Sequence, residues 1–400
     1  MDLNYSPEYQ EFRQELRDFL EANKDKWPTR TQIVPTEEMK AWQKLLIEHG
    51  YTARTYPKEY GCYGAKPDVL KSRIIAEEFT AAGAYLGLSG QGVAMLVPTL
   101  LELGTEEQKA EWVEKTLHGD VLWCQGYSEP GAGSDLASLS TKATEDGDDF
   151  IINGQKIWTS TAAEAHMMFC LVRTEPDAPK HKGISYLLIP MDTPGIEVRP
   201  LVTMTGEAEF NEVFFTDVRV PKTNIVGARG EGWAVANSTL KHERGMLGDP
   251  NIARNRLEKI IAMMKEETID GTTLMENPLL RDRLLQLQAR MLTMQFNSYR
   301  TLTAQSKKQN PGLAQLVGKL QGCELRHQIS ALAIDVLGEL GLLFGETPRL
   351  RNHGVWQRQY MFDLGLIIGG GTAQIQKNII AERGLGMPRE PKVMKTQPAK

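Results

Sequence analysis

The sequence predicts a multi-lobed α+β fold, in which a helical segment, a smaller and mainly antiparallel β segment and a second helical segment follow one another. Apolar residues recur at helical spacing up to residue 120, at strand spacing over 121–230, and again at helical spacing beyond Gly230. With 41% hydrophobic and 24% charged residues, the 400-residue chain can bury a full core. The predicted domains are 1–120, 121–230 and 231–390, followed by a tail over 391–400.

The first lobe is predicted from helical start signals and periodicity. Serine favours the N-cap and proline the first turn, so Ser6-Pro7 is expected to open a helix. Tyr9, Phe12 and Leu16 then recur at helical spacing. The same pattern predicts further helices over 36–49, 67–82, 91–103 and 105–117.

The middle lobe is predicted from short apolar runs separated by turn residues. Asn153-Gly154 divides the segment 150–157 into two runs, and Asn-Gly is the strongest short-range hairpin signal, so a hairpin is expected there. Further strands are predicted over 167–172, 184–189, 196–201 and 213–220. Together they predict a small, mainly antiparallel β domain.

The last lobe is predicted to be a helical bundle. Asp249-Pro250 is expected to interrupt the helix that precedes it, and Asn277-Pro278 to begin another. The predicted helices cover 231–248, 251–267, 278–307, 311–340 and 372–385. The lysine-bearing residues after 390 are expected to form a solvated tail.

Composition narrows the classes of function. A net charge of −5 argues against nucleic-acid binding, which normally needs a basic face. No apolar run approaches the roughly 18 residues of a membrane span, and residues 1–4 do not begin a signal peptide, so a cytoplasmic protein is expected. We predict free buried thiols and no metal site, because no cysteine forms a C-x-x-C pair or has a histidine at ligand spacing: Cys62, Cys124, Cys170 and Cys323.

Two segments carry the strongest chemical signal, residues 127–135 (YSEPGAGSD) and residues 154–160 (GQKIWTS). In the first, Ser128 and Ser134 offer hydroxyls, and the glycines let backbone N–H groups turn toward an anion or a flavin edge. In the second, Trp158 can stack on a tricyclic ring beside two more hydroxyls. A Gly/Pro turn before a β-hairpin would also explain either segment alone.

These segments, in this order, resemble the signature of the acyl-CoA dehydrogenase family of flavoenzymes. The resemblance covers about residues 5–390. It implies FAD as cofactor, an acyl-CoA substrate, a trans-2-enoyl-CoA product and electron-transferring flavoprotein as partner, in fatty-acid or steroid side-chain β-oxidation. Ser134 is also assigned to the substrate, and the implied FAD contacts are Gln125, Tyr127, Ser128, Ser134, Trp158, Thr159, Ser160, Gly371, Thr372 and Gln374.

The catalytic base is expected at a less common family position. Many members carry Glu just before the Gly-Thr of the C-terminal flavin loop, where this chain has Gly370. A second arrangement, similar to isovaleryl-CoA and long-chain dehydrogenases, places Glu directly before Arg on a helix after the β lobe. His242-Glu243-Arg244 matches it, so Glu243 is the candidate base and Arg244 a candidate substrate contact. A solvated Glu-Arg pair is the alternative interpretation.

The C-terminal glycines provide a second predicted ligand contact. Gly369 to Gly371 precede Thr372 at a predicted helix start, where unpaired N–H groups and the helix dipole would favour a phosphate. A helix-entry turn without ligand is the alternative. No G-x-G-x-x-G occurs, since Leu136 stands where the third glycine would fall, so nicotinamide binding is not expected.

Two departures from the family pattern concern assembly. Segments 272–276 (TTLME) and 335–339 (DVLGE) replace motifs that often reach the FAD of a neighbouring subunit. A homodimer or homotetramer is the simpler expectation, and an α2β2 tetramer with an unlike subunit is the alternative. A flavin oxidase or monooxygenase and a non-catalytic partner subunit also remain open, as do acyl length and branching.

Overall fold

The computed structural model describes residues 5–29, 33–269, 271–345, 347–389 and 391, without the side chains of residues 244–246, 269 and 306. It divides into two compact units, Met1–Met246 and Leu247–Lys400.

The first unit begins with helices, as predicted. Phe12 and Leu16 of the first helix are buried, and they pack with Trp42 and Phe79 of the helices that follow. Thr105 and Gln108 form a capping box, in which each side chain bonds to the other residue's backbone. The helices are α1 (Pro7–Ala22), α2 (Glu37–Glu48), α3 (Val69–Ala82), α4 (Val97–Leu103) and α5 (Glu106–His118).

An eight-stranded sheet follows in the same unit. Its order is β6-β7-β3-β2-β4-β5-β8, and β1 also pairs with β4. Most neighbours are antiparallel, whereas β4 is parallel to both β1 and β2. The strands are β1 (Trp123–Gly126), β2 (Lys142–Asp146), β3 (Asp149–Ser160), β4 (Met167–Arg173), β5 (Ile184–Pro190), β6 (Ile196–Leu201), β7 (Phe210–Pro221) and β8 (Ile225–Val226).

The central strand β4 separates two hydrophobic cores. Because successive side chains point to opposite faces, Phe169 and Leu171 enter one core, whereas Met168 and Cys170 enter the other. The first core also contains Val235 of α6 (Gly232–Leu247). The sheet therefore supports α6, the helix that carries the predicted base.

The hairpin predicted at Asn153-Gly154 is wrong. β3 runs through both residues, and the chain instead turns at Gly147, where φ is 60°. Gly154 adopts φ 153° at a shift in the register between β3 and β7, and a Cβ there would lie 2.6 Å from the Thr141 hydroxyl. Asn-Gly thus marks a bulge with a close backbone approach rather than a turn.

The second unit is mainly helical. Leu257, Ile260, Leu325 and Ile329 form part of its core. Asp249 caps its first helix by accepting from the N–H of Asn251, so the predicted interruption at Asp249-Pro250 is confirmed. The elements are α7 (Pro250–Glu266), β9 (Thr268–Ile269), β10 (Thr272–Thr273), α8 (Pro278–Ser306), α9 (Leu313–Leu316), α10 (Gly318–Leu337), α11 (Val355–Ile368) and α12 (Ala373–Ile379).

Two details of this unit differ from the prediction. The helix expected over 311–340 is divided into α9 and α10, and α11 was not predicted at all. Asp363 of α11 is fully buried and pairs with Arg256 of α7 at 2.5 Å, and the hydroxyl of Ser330 on α10 donates to it over 2.7 Å. A charged network therefore joins three helices of this unit.

The predicted fold class, a helical segment, a mainly antiparallel β segment and a second helical segment, is confirmed. The predicted domain boundaries stay a prediction. All four cysteines are free and buried, as predicted. Within the described ranges, every helix is too short or too polar to cross a bilayer.

Candidate active site

The two segments predicted to bind a flavin lie side by side. The N–H of Ile157 in β3 donates to the carbonyl of Ser128 over 3.0 Å. The ammonium group of Lys156 donates to the carbonyl of Tyr127 over 3.2 Å. Ser128 therefore lies beside the residue that precedes Trp158.

A buried ion pair fixes these two segments to one another. The Lys156 Nζ lies 2.8 Å from Oε1 of Glu129, and their side chains are 0% and 5% exposed. Glu129 also accepts from the N–H and the hydroxyl of Ser140 over 2.6 and 2.8 Å, and from the N–H of Thr141 over 2.9 Å. Four donors thus satisfy one carboxylate.

Burial opposes ionisation of Glu129, but the charge of Lys156 and the hydrogen bonds lower the pKa of Glu129 to about 2. The Glu129 carboxyl group is therefore ionised at neutral pH. Sequence reasoning missed both residues as site components. Strand periodicity carried a signal for Lys156, because it continues the buried face of Phe150 and Ile152 at even spacing.

Trp158 combines exposure with an unusual backbone. Its side chain is 59% exposed and contacts Phe210 edge-on, with ring centroids 6.0 Å apart. Its φ is 61°, a left-handed value that costs a residue with a Cβ about 1–2 kcal/mol. Such strain clusters at functional sites, and an exposed indole held in this way can stack on a planar ring.

The neighbouring predicted residues differ in how much of the side chain reaches the surface. Gln125 and Ser160 are half-buried. Thr159 is fully buried, its hydroxyl has no hydrogen-bond partner within the described ranges, and its carbonyl accepts from Asn211. Tyr127 lies in the hydrophobic core. For Thr159 and Tyr127, a contact with a cofactor would therefore fall mainly to backbone atoms.

Ser134 lies in an exposed loop between β1 and β2. The adjacent Asp135 pairs with Lys180 at 2.5 Å. The Ser134 hydroxyl is therefore accessible to a ligand.

Glu243 is half-buried on α6. Burial is the main reason that the pKa of Tyr127 is raised well above its usual value, and the charge of Glu243 adds to this effect. The Glu243 carboxylate therefore acts on the tyrosine of the first signature segment. The side chain of Arg244 lies outside the described residues, so its predicted contact stays a prediction.

The helix that carries Glu243 is anchored one turn earlier. Thr239 is fully buried, and its hydroxyl lies 3.0 Å from the hydroxyl of Thr99 on α4 and 3.4 Å from that of Tyr186 on β5. Residues four apart share a helix face, so the Glu243 side chain continues the anchored face.

A cavity of 370 Å³ lies beside α6 in the same unit. Its wall is mixed in polarity, and at one edge Nε2 of His242 lies 3.3 Å from Oε1 of Glu102. Glu102 also accepts from the hydroxyl of Ser238. The lining residues are Thr55, Tyr56, Pro57, Ala94, Pro98, Leu101, Glu102 and His242.

The C-terminal glycine loop belongs to the second unit. Gly370 and Gly371 have φ of 63° and 91°, and the Thr372 hydroxyl accepts from the N–H of Ile375 over 3.2 Å. The buried Lys319 donates to the carbonyl of Gly371 over 2.7 Å. The predicted turn before a helix is confirmed. Its role toward a phosphate stays a prediction, and so does that of Gln374, which is exposed.

These residues fit a flavin. An exposed indole in a strained backbone suits the isoalloxazine ring, and glycines at positive φ leave backbone groups open to a ligand. In contrast, no three His, Cys, Asp or Glu side chains are grouped to hold a metal ion in the part of the chain that the structure describes.

Comparisons with known proteins show the family to which the chain belongs. Three models of the acyl-CoA dehydrogenase family match the chain: its N-terminal domain over residues 6–120, its middle domain over 124–218 and its C-terminal domain over 230–385. Together these matches cover most of the sequence. The chain belongs to the acyl-CoA dehydrogenase family of flavoproteins and is an oxidoreductase of that family.

Individual relatives are similar over nearly the whole chain. Acyl-CoA dehydrogenase IpdE1 of Mycobacterium tuberculosis is 40% identical over 360 residues, which cover 89% of this chain and 90% of that protein. A solved structure described as "Tcur3481-Tcur3483 steroid ACAD" is 31% identical, with a TM-score of 0.80, and the match covers 98% of this chain and 100% of that one. The ChsE4-ChsE5 complex from Mycobacterium tuberculosis gives the same four values.

Proposed function

We propose that this enzyme uses FAD to remove two hydrogens from the α and β carbons of an acyl-CoA thioester, giving a trans-2-enoyl-CoA. Electron-transferring flavoprotein then receives the electrons. The observation that carries the proposal is the half-buried position of Glu243 on α6, one helical turn after Thr239, whose buried hydroxyl lies within hydrogen-bond distance of those of Thr99 and Tyr186. Bound FAD supplies the hydride acceptor.

Glu243 acts as the base that takes the α proton. This proton is only weakly acidic, so it requires a carboxylate held at a fixed position. The face of α6 anchored by Thr239 holds this carboxylate in place. Position 370, which carries the acid in many members, is glycine here.

Several side chains are proposed as FAD contacts. Trp158 contributes an exposed ring, and Ser128 and Ser160 contribute half-buried polar groups. Thr372, whose hydroxyl oxygen caps α12, keeps its O–H available as a donor to the cofactor. Ser134 and Arg244 bind the CoA thioester.

Glu243→Gln tests the proposal because the amide keeps the shape of the side chain and loses the base. Flavin reduction by substrate is expected to fall by about 10²–10⁴-fold, while flavin content and thioester binding persist. Glu231→Gln, at an exposed position directly before α6, is the matched control and should leave the reduction rate unchanged. Near-normal flavin reduction by Glu243→Gln would remove Glu243 from the role of base.

The electron acceptor is tested separately. After reduction by substrate, the flavin is expected to reoxidise slowly in O2 and rapidly with electron-transferring flavoprotein. Rapid reoxidation by O2 alone would identify an oxidase instead.

We infer that the enzyme is an oligomer, a homodimer or homotetramer in the simpler case. An α2β2 assembly is supported by the departures at 272–276 and 335–339 and by the likeness to the ChsE4-ChsE5 complex. Mass measurement of the chain expressed alone and beside its neighbouring gene products distinguishes the two. The free cysteines support a reducing compartment, which we take to be the cytoplasm.

A further inference from the structure

The cavity beside α6 has one chemically distinctive edge. Pro98 and Leu101 of α4 give it an apolar wall, whereas Glu102 of the same helix and His242 of α6 give it a polar one. Its volume of 370 Å³ is at the lower end of the range for small-molecule pockets. His242 directly precedes Glu243, so the cavity adjoins the helix that carries the proposed base.

The edge formed by Glu102 and His242 offers hydrogen-bond acceptors to the cavity. Burial opposes the charge on Glu102, but the bond from Ser238 and the adjacent His242 lower the pKa of Glu102, so it is a carboxylate. Burial also lowers the pKa of His242, although Glu102 acts in the opposite direction, so the imidazole is neutral at pH 7. If Nε2 carries the proton donated to Glu102, Nδ1 is left as an acceptor.

Acceptor groups at the edge of a cavity discriminate among acyl groups. A hydrocarbon end would desolvate Glu102 without offering a donor, and a free carboxylate would be repelled by its charge. A hydroxyl offers a donor in place of the water that it displaces. We propose that the cavity binds the distal part of the acyl group, and that Glu102 and His242 select acyl-CoA thioesters bearing a hydroxyl there over unsubstituted or carboxyl-ended ones.

This inference rests on the proposed function, because it assumes that the substrate is an acyl-CoA thioester. The test uses the purified holoenzyme, with its partner subunit if it has one, and a series of straight-chain and ring-bearing thioesters. Each skeleton is prepared unsubstituted, with a distal hydroxyl and with a distal carboxylate. The readout is kcat/KM for flavin reduction.

The hydroxyl form of the best skeleton is expected to exceed the unsubstituted form by roughly tenfold to a hundredfold, the value of a hydrogen bond to a charged group. Glu102→Leu should abolish this preference. Glu102→Gln, which keeps the shape, should reduce the preference and relax the rejection of the carboxylate form. Glu107→Gln changes an exposed residue of α5 outside the cavity and is the control. It should keep both the preference for the hydroxyl form and the rejection of the carboxylate form.

Equal kcat/KM for hydroxyl and unsubstituted forms in the unaltered enzyme would overturn the inference and leave the proposed function intact. The inference would also be overturned if the preference for the hydroxyl form survived in both Glu102 variants while their flavin content was normal. If no thioester of any form reduced the flavin, the proposed function itself would fail, and this inference with it.

Discussion

Replacing Lys156 by Met should destabilise the first unit strongly, because it leaves the Glu129 carboxylate buried without its counter-ion. Lowering the Glu129 pKa from 4.5 to about 2 corresponds to about 3 kcal/mol of stabilisation of the ionised form. Breaking a buried pair by removing one partner costs about 3–5 kcal/mol. Both routes predict a loss of at least about 3 kcal/mol, since the pair is nearly inaccessible to water.

Urea unfolding followed by circular dichroism measures this loss at a fixed flavin concentration. The midpoint of Lys156→Met should fall by at least about 1 M. Lys180→Met removes the same charge from an exposed pair, whose side chains are 58% and 61% exposed, and should change stability by no more than about 1 kcal/mol. The double variant Glu129→Gln with Lys156→Met should be less destabilised than the sum of its single changes.

The same pair predicts a dependence on pH. The pKa of Glu129 is lower in the folded than in the unfolded chain, so its contribution is full above the unfolded value of 4.5 and is lost as the pH falls toward about 2. Lys156→Met should show a shallower loss over this interval. The reasoning would be refuted if the urea midpoints of Lys156→Met and of Glu129→Gln both equalled that of the unaltered protein.

Three further predictions concern other parts of the structure. Trp158→Asn should change the unfolding free energy by less than about 1 kcal/mol, because asparagine tolerates the left-handed backbone, but should weaken flavin binding by about 2- to 12-fold in a fluorescence titration. Lys319→Met should lower the urea midpoint, because the half-buried carbonyl of Gly371 loses a donor worth about 1–3 kcal/mol. Asp363→Asn should cost about 3–5 kcal/mol by calorimetry, since it leaves Arg256 without its buried partner; an unchanged transition would contradict this.

Hydrophobic periodicity was sufficient to predict the elements that have one buried, apolar face and one exposed, polar face. The helix α1 buries Phe12 and Leu16 and exposes the residues between them, so its pattern is unambiguous. In contrast, α11 has apolar residues around much of its circumference and follows two residues with positive φ, Asn352 and His353, so it has neither a clear stripe nor an ordinary start signal. Its place is set by the buried contact of Asp363.

The site was only partly predictable, because a short motif can be found in the sequence whereas a tertiary contact cannot. Trp158 was found because a short motif contains it. Lys156 and Glu129 were missed because charged residues are usually solvated, and only the three-dimensional pairing shows that they share a buried position. Likewise, Asn153-Gly154 has the composition of a turn, and the approach of Thr141 that makes it a bulge is a tertiary contact.

The contrast between Gly370 and Glu243 gives a physical reason for placing the proposed base on α6. Gly370 has φ 63°, so a glutamate there would cost about 1–2 kcal/mol of backbone strain. Glu243 follows Thr239 by one helical turn, and Thr239 is buried and bonded to Thr99. Because catalysis requires a base to be held within fractions of an ångström, the anchored helix provides the better support, and the glycine loop is left to serve the cofactor.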